Sequence, residues 1–142
     1  MDATTRETIT RIIKNCVYGQ LATITPDGRS PRVCAFLEED MTLLVPSHTA
    51  TRKIAEISAN AEVEICFVDS EHWQARASGR AEVVDEAGLK RRLMKTPLNP
   101  KLWHGFFPCG PTDERFILYR IRPYAFEWMK EWELKYRRVE MA

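Results

Sequence analysis

The chain has 142 residues, is 44% hydrophobic and 29% charged, and sets 21 lysines and arginines against 20 aspartates and glutamates. That length suits one domain with an ordinary core. The composition excludes a disordered chain, and the near-zero net charge supplies no overall field for nucleic acid or an anionic membrane. Four scattered cysteines without a C-x-x-C pair read as reduced thiols of a cytoplasmic protein, and the three histidines share no ligand spacing with them, so no metal site is expected. No apolar run approaches membrane-spanning length, and the first residues read as a polar helix rather than a secretory signal.

Thr4-Thr5-Arg6-Glu7 has the pattern of a capping box, and Ile9, Ile12 and Ile13 recur at helical spacing, which predicts a helix from about Thr5 to Cys16. The stretch QLATITPDGRSPRVCAFLEEDMTLLVP then carries three β segments. They are Leu21 to Thr25, turning at Pro26-Asp27-Gly28; Arg32 to Leu37, broken at Glu38-Glu39-Asp40; and Met41 to Val45. Such short connections make neighbouring strands antiparallel. SHTATRKIAEI predicts a helix capped by Thr49 or Thr51 and closed at Asn60. AEVEICFV and HWQARASGRAEVV alternate as strands, and a helix follows from about Glu86 to Lys95. TPLNPKLWHGFFPCGPTD reads as an ordered loop with a short helix. RFILYRIR is a strand, Pro123 leads into a last one, YAFEWM, and the tail KEWELKYRRVEMA is charged and ambiguous. These elements predict a single domain over residues 1–142, mainly β with flanking helices, built as a small antiparallel barrel. Such a barrel leaves little room inside for a ligand, so a site is expected on its outside or between two copies.

Arg52 and Lys53 fall in a first helical turn, where the macrodipole disfavours cations. Either they bend into solvent or something negative sits there. Helix-start amides, hydroxyls and two cations suit a phosphate, and Arg32, inside the preceding strand, favours that reading. Gln74 is either a surface residue or an amide able to hydrogen-bond a planar heterocycle. Phe126, Trp128 and Trp132 read as core aromatics ahead of ligand contacts. Cys34 reads as a buried, inert strand thiol, and His48 and His72 as surface or hydrogen-bonded residues. The segment from Leu98 to Pro111 either borders a substrate or caps the barrel through Trp103, Phe106 and Phe107. No Ser-His-Asp order, Walker loop or G-x-G-x-x-G is present, which disfavours hydrolysis and nucleoside triphosphate chemistry. No residue stands out as catalytic.

Four segments, in order, resemble the FMN-binding split-barrel superfamily, the pyridoxamine 5'-phosphate oxidase-like proteins, and within it the short general stress protein type. LATITPDGRSPRV resembles the opening strand pair, and VPSHTATRKIAEISANAEVEICF the phosphate-binding segment with its Ser/Thr-Arg-Lys triplet. WQARASGRAEVV resembles the Gln-x-Arg-x-x-Gly-Arg strand, and YRIRPYAFEW the closing strand. The resemblance implies an antiparallel split β-barrel that binds FMN and forms a homodimer with two flavins at the interface. By position, Arg32 and the Val33-Cys34 backbone would line the flavin, and Pro46 and Ser47 would touch the ring or its ribityl-phosphate chain. Thr51, Arg52 and Lys53 would hold the phosphate, and Gln74 would hydrogen-bond the isoalloxazine from the dimer mate or from its own chain.

Two departures matter. Leu37 stands where the oxidases place a lysine, and the tail WELKYRRVEMA replaces their Arg-Leu-His segment, which weighs against pyridoxamine phosphate as substrate. The implied activity is oxidoreduction between FMN and a small molecule or NAD(P)H. The alternative is a non-catalytic flavin- or haem-binding protein used for storage or sensing, with His48, His72 or His104 as candidate haem ligands.

Overall fold

A computed structural model describes residues 1–25, 32–96 and 100–142, with side chains for all of these except Arg32, Pro100, Lys101 and Leu102. The expected turn at Pro26-Asp27-Gly28 lies outside the described residues. Helix α1 spans Ala3–Lys14. Its cap is Asp2, whose carboxylate accepts from the Thr5 N–H at 2.8 Å, so the acid two residues earlier takes the role expected of the Thr4 box. Ile9, Ile12 and Ile13 are buried on its inner face, and α1 packs over β3, β5 and β6, whose ranges follow.

The strands are β1 Gly19–Thr23, β2 Arg32–Val33, β3 Phe36–Leu37, β4 Leu43–His48, β5 Glu62–Val68, β6 Gln74–Val83, β7 Phe116–Met129 and β8 Arg137–Glu140. They form one antiparallel sheet in the order β2-β1-β5-β6-β7-β4-β3, with β8 added to β7. Helices α2 (Lys53–Ala59), α3 (Ala87–Met94) and α4 (Pro100–Phe106) lie between strands. The ambiguous tail is therefore a strand: Arg137–Glu140 pairs with β7 at Ala125–Trp128.

One departure from expectation organises the molecule. The strand predicted from Arg32 to Leu37 is two short pieces, β2 on β1 and β3 on β4, separated by Cys34 and Ala35. Since β2 and β3 terminate opposite ends of the sheet, this dipeptide carries the chain from one edge to the other. The sheet curls until its ends face each other, and β2 contacts β4 across the gap. The seam of the barrel is where Cys34 lies.

The barrel is filled by Leu21, Leu43, Val45, Ile65, Phe67, Ala75, Ala77, Tyr119, Ile121 and Phe126, with the α1 isoleucines at one end. A second cluster, Leu44, Val84, Leu93, Trp103, Phe107, Phe116 and Leu118, lies on the other face of β4 and β7, beneath α3 and α4. A strand covered on both faces reads as a continuous apolar run, which explains why Leu43, Leu44 and Val45 are all buried without alternation. Phe126 and Trp128 are core, as expected. Trp132 is not: it is 70% exposed, in a left-handed conformation with φ 53°, with its ring centroid 4.7 Å from that of His72.

Candidate functional site

Strand β4 has an outer partner only as far as Leu44, because β3 ends there. Past that point Pro46, which lacks an N–H, is tolerated in the strand because one edge is open. The open edge, the end of β2 and the start of α2 leave a cavity of ≈ 360 Å³ at the seam, roofed by α4. It is lined by Val33, Cys34, Pro46, Ser47, Thr51 and Lys53, together with Tyr18, His48, Trp103, Phe106 and Phe107. The first six are residues singled out from the sequence, two from the end of β2 and the seam after it and four from the β4–α2 segment, gathered by the split of the barrel.

Of the other expected residues, Arg32 has its backbone in β2 opposite Gln20, and its side chain lies outside the described residues. Arg52 is not part of the lining. Its Nε sits 3.3 Å from the Glu56 carboxylate, which also accepts from the Thr23 hydroxyl at 2.6 Å. Arg52 precedes the helix as its N-cap residue and no side chain caps α2, so the one-turn pairing with Glu56 draws the guanidinium outward. Gln74 lies away from its own chain's cavity, where its Oε1 accepts from the Tyr136 hydroxyl at 2.8 Å.

Among the described side chains, one charged group lines the cavity. Lys53 is 7% exposed, and burial pushes its ammonium below the ordinary lysine range. The other buried lysine, Lys90, donates to the Phe116 carbonyl at 3.0 Å and lies 3.7 Å from Asp85. Lys53 has no such partner among the described residues. A buried cation without a counter-charge is costly unless something anionic arrives. Ser47 is 2% exposed, and its hydroxyl has only a 3.5 Å approach to the Val45 carbonyl, at the outer limit of a hydrogen bond. The Thr51 hydroxyl donates to the His48 carbonyl at 2.8 Å instead of capping α2, so it must turn before it can donate to an anion. Cys34 belongs to the seam rather than to a strand, and burial raises its thiol above the ordinary cysteine range, which keeps it protonated and unreactive at neutral pH.

Sequence reasoning passed over Tyr18, and weighed His48 only as a surface or hydrogen-bonded residue or a haem ligand rather than as part of a flavin cavity. The signal for His48 is its position beside Ser47, since a strand continuing past Pro46 brings both to the same end. Trp103 and Phe107 are buried in the second cluster, outside the barrel core, and also line the cavity. The Trp103 indole N–H is buried without an acceptor among the described residues. Phe107 stacks on Phe116 with centroids 4.3 Å apart and on His48 at 5.8 Å.

Asp113 fixes this wall from behind. Its buried carboxylate accepts from the Cys109 N–H, the Arg115 N–H and the Arg115 guanidinium at 2.8–3.0 Å, and those bonds, led by the Arg115 side chain, hold it well below the usual carboxylate range. A depressed folded-state value means the charge stabilises the fold above about pH 4 and the contribution fades as the pH drops further. Asp113→Asn is therefore expected to lower the melting temperature by the same amount at pH 5 and pH 7, with the gap to the parent narrowing only below about pH 4. Thermal melts across that range measure it. A gap that instead widened on acidification would contradict the assignment.

The sequence model of the family described as pyridoxamine 5'-phosphate oxidase matches residues 5–129. The general stress protein 26 of Bacillus anthracis str. Sterne superposes with a TM-score of 0.76 at 23% identity, covering 95% of this chain and 98% of that one. A pyridoxamine 5'-phosphate oxidase-related, FMN binding protein of Nostoc punctiforme PCC 73102 gives 0.72 at 17% identity, covering 100% and 99%. A heme binding protein of Mycobacterium smegmatis gives 0.76 at 13% identity, covering 99% of this chain and 59% of that one. A search of curated proteins found no match. No helix among the described residues is long and apolar enough to cross a membrane.

Proposed function

The chain belongs to the pyridoxamine 5'-phosphate oxidase family, and we propose that it is an FMN-binding flavoprotein, an oxidoreductase that passes hydride or electrons between FMN and a small-molecule or nicotinamide partner in the cytoplasm. The observation that carries the reading is Lys53, a buried ammonium without a counter-charge among the described residues, in the wall of a cavity otherwise rich in flat rings. A ring with a phosphate tail meets both needs, and ≈ 360 Å³ falls within the roughly 300–1,000 Å³ of cofactor pockets. FMN rather than FAD is supported by a single cationic position among the described side chains of the lining and by the lack of a dinucleotide fingerprint in the sequence.

When bound, the flavin ring supplies the redox chemistry. The chain supplies the rest. Lys53 neutralises the phosphate, Ser47 offers the freer hydroxyl, and Pro46 and the Val33-Cys34 backbone form an apolar floor that excludes water. A homodimer is part of the proposal, because Gln74 lies off its own cavity and reaches a flavin only from a second copy. Tyr18 and Phe106, 41% and 54% exposed at the cavity, are surfaces a second copy would cover.

The test is the absorption spectrum of freshly purified protein, followed by mass spectrometry of the extracted chromophore and light scattering. Two bands in the near ultraviolet and blue, the mass of FMN and a dimer are expected. FAD or a monomer with full flavin occupancy would defeat the corresponding part. A second reading, haem binding, is favoured by one observation: His48 lines the cavity with its Nε2 unpartnered among the described residues. A Soret band would establish it in place of flavin.

A further inference from the structure

We infer that Tyr136 is a positioning residue for the flavin. Its hydroxyl, anchored by Arg76, holds Gln74 so that the amide NH2 group, and not the amide carbonyl, is offered to an acceptor atom on the rim of the ring. The inference rests on the flavin reading, in which Gln74 meets the flavin of a second copy.

The three residues come from two distant stretches brought onto one face. Gln74 and Arg76 flank Ala75, which is buried in the barrel, so both side chains stand on the outer face of β6. Tyr136 directly precedes β8, which lies across β7 from β6, because Ala125–Trp128 pairs with both strands. Two strand spacings, about 10 Å, separate the flanking backbones, and the tyrosine and glutamine side chains bridge that gap between them. The Tyr136 hydroxyl accepts from the Arg76 guanidinium at 2.7 Å and donates to the Gln74 Oε1 at 2.8 Å. The guanidinium carbon also lies 4.4 Å from the centroid of the Tyr136 ring.

Donor and acceptor capacity fixes the polarity of this chain. A guanidinium can only donate, so the Tyr136 oxygen must accept from it. The hydroxyl has one proton left to give, and Oε1 takes it. A flipped amide would turn Nε2 toward the same oxygen and leave the hydroxyl proton without an acceptor, which is unfavourable in a half-buried cluster. With Oε1 occupied, Nε2 keeps its protons and has no acceptor among the described residues. The rim of an oxidised flavin carries carbonyl oxygens and unprotonated ring nitrogens beside a single imide N–H. The offered NH2 group matches the acceptors and mismatches the imide. The tail WELKYRRVEMA, which departs from the oxidases, thereby supplies the group that sets the amide.

The full-length protein, stripped of its chromophore, is titrated with FMN at pH 8, and the absorption spectrum of the bound flavin is recorded for each variant. Gln74→Met, which keeps the length of the side chain and removes the amide, is expected to weaken binding about two- to tenfold, the worth of one net hydrogen bond. Gln74→Glu is expected to bind more weakly still, since its free oxygen can only accept and is set against another acceptor. Tyr136→Phe keeps the ring beside Arg76 and removes the hydroxyl. It is expected to weaken FMN binding about twofold or more, within the loss caused by Gln74→Met, and to shift the absorption band of the bound flavin. Both effects are expected to vanish in the Gln74→Met background, because the two residues act through one contact. FMN binding by Gln74→Glu that equals or exceeds that of Gln74→Met overturns the inference, since the carbonyl would then face the ring. A Tyr136→Phe effect that persists without Gln74, or no effect in its presence, also overturns it, since the tyrosine would then serve only the fold. These outcomes leave the flavin reading standing. A parent protein that takes up no FMN defeats that reading itself and the inference with it.

Discussion

Gly79→Ala is expected to cost about 3 kcal/mol of stability and to lower the melting temperature by roughly 10 °C. Strands β6 and β7 pair in register up to Ser78 and Ala125, then resume with Gly79 opposite Pro123, so Tyr124 is left unpaired as a bulge. At that step the two backbones close in. A Cβ on residue 79 would stand 2.4 Å from the Arg122 carbonyl oxygen and 3.0 Å from the Pro123 Cα. Both are main-chain atoms with no rotamer to move, so the strands themselves must separate. The bulge also bends β7, which pairs with β4 over Phe116–Ile121 and with β8 over Ala125–Trp128 along the same edge. Gly88→Ala is the control. It lies in α3 with open space around its Cα, so an added methyl is expected to raise stability by about 0.5–1 kcal/mol. Chemical denaturation of both variants measures the contrast, and a Gly79→Ala protein as stable as the parent would show that the bulge is soft.

The same bulge shows what the sequence could and could not disclose about the fold. Alternation in EVEICFV and in QARASGRAEV is legible because each strand buries one face, and period two is then enforced by water on the other. Pro123 reads as a strand boundary because it lacks an N–H, yet β7 runs through it for 14 residues, since a bulge lets the missing donor fall where no ladder bond is needed. The segment expected as Met41 to Val45 is β4, Leu43–His48. Its shift reflects long-range pairing of Leu43–His48 with Ile121–Phe116, which local propensity cannot report. Asp2 serves as the cap in place of Thr4: two acceptable capping residues stand two positions apart, and the sequence alone does not choose between them.

The site was legible where the chain is contiguous and opaque where it depends on the barrel. Pro46, Ser47, Thr51 and Lys53 lie within eight residues of one another and reach the same cavity as Val33 and Cys34. Nothing local shows that β2 and β3 are opposite ends of one sheet, so Cys34 read as a strand thiol rather than a seam residue. Arg52 and Lys53 are adjacent cations of equal standing in the sequence. Only packing separates them, turning one out to Glu56 and the other in.

That separation is the second large expected effect. Lys53→Met is expected to weaken FMN binding about ten- to a hundredfold, the worth of one charge-assisted contact of roughly 1.5–3 kcal/mol. Riboflavin, which lacks the phosphate, is expected to bind the variant and the parent alike. Arg52→Ala is expected to change FMN affinity by less than about twofold and stability by less than about 0.5 kcal/mol, because an exposed one-turn ion pair contributes little. Flavin-free stability moves the other way at residue 53. Methionine fills the same volume without a charge to desolvate, so the variant is expected to be more stable than the parent by roughly 1 kcal/mol at neutral pH. Burial has lowered the lysine's folded-state titration below its unfolded value of about 10.4. Between those two points the unfolded chain holds more protons, so the parent gains stability as the pH rises through that window. The methionine variant has no such gain, and its advantage shrinks toward pH 10. FMN binding runs against the same gradient: a phosphate favours the charged ammonium, so the parent's affinity declines as the pH climbs through the lowered titration while the variant's stays flat. Titrations with FMN and riboflavin, paired with flavin-free melts from pH 7 to 10, read all of these. Equal losses for FMN and riboflavin would mean that Lys53 shapes the cavity rather than pairing a phosphate, and unchanged FMN affinity would place the phosphate elsewhere.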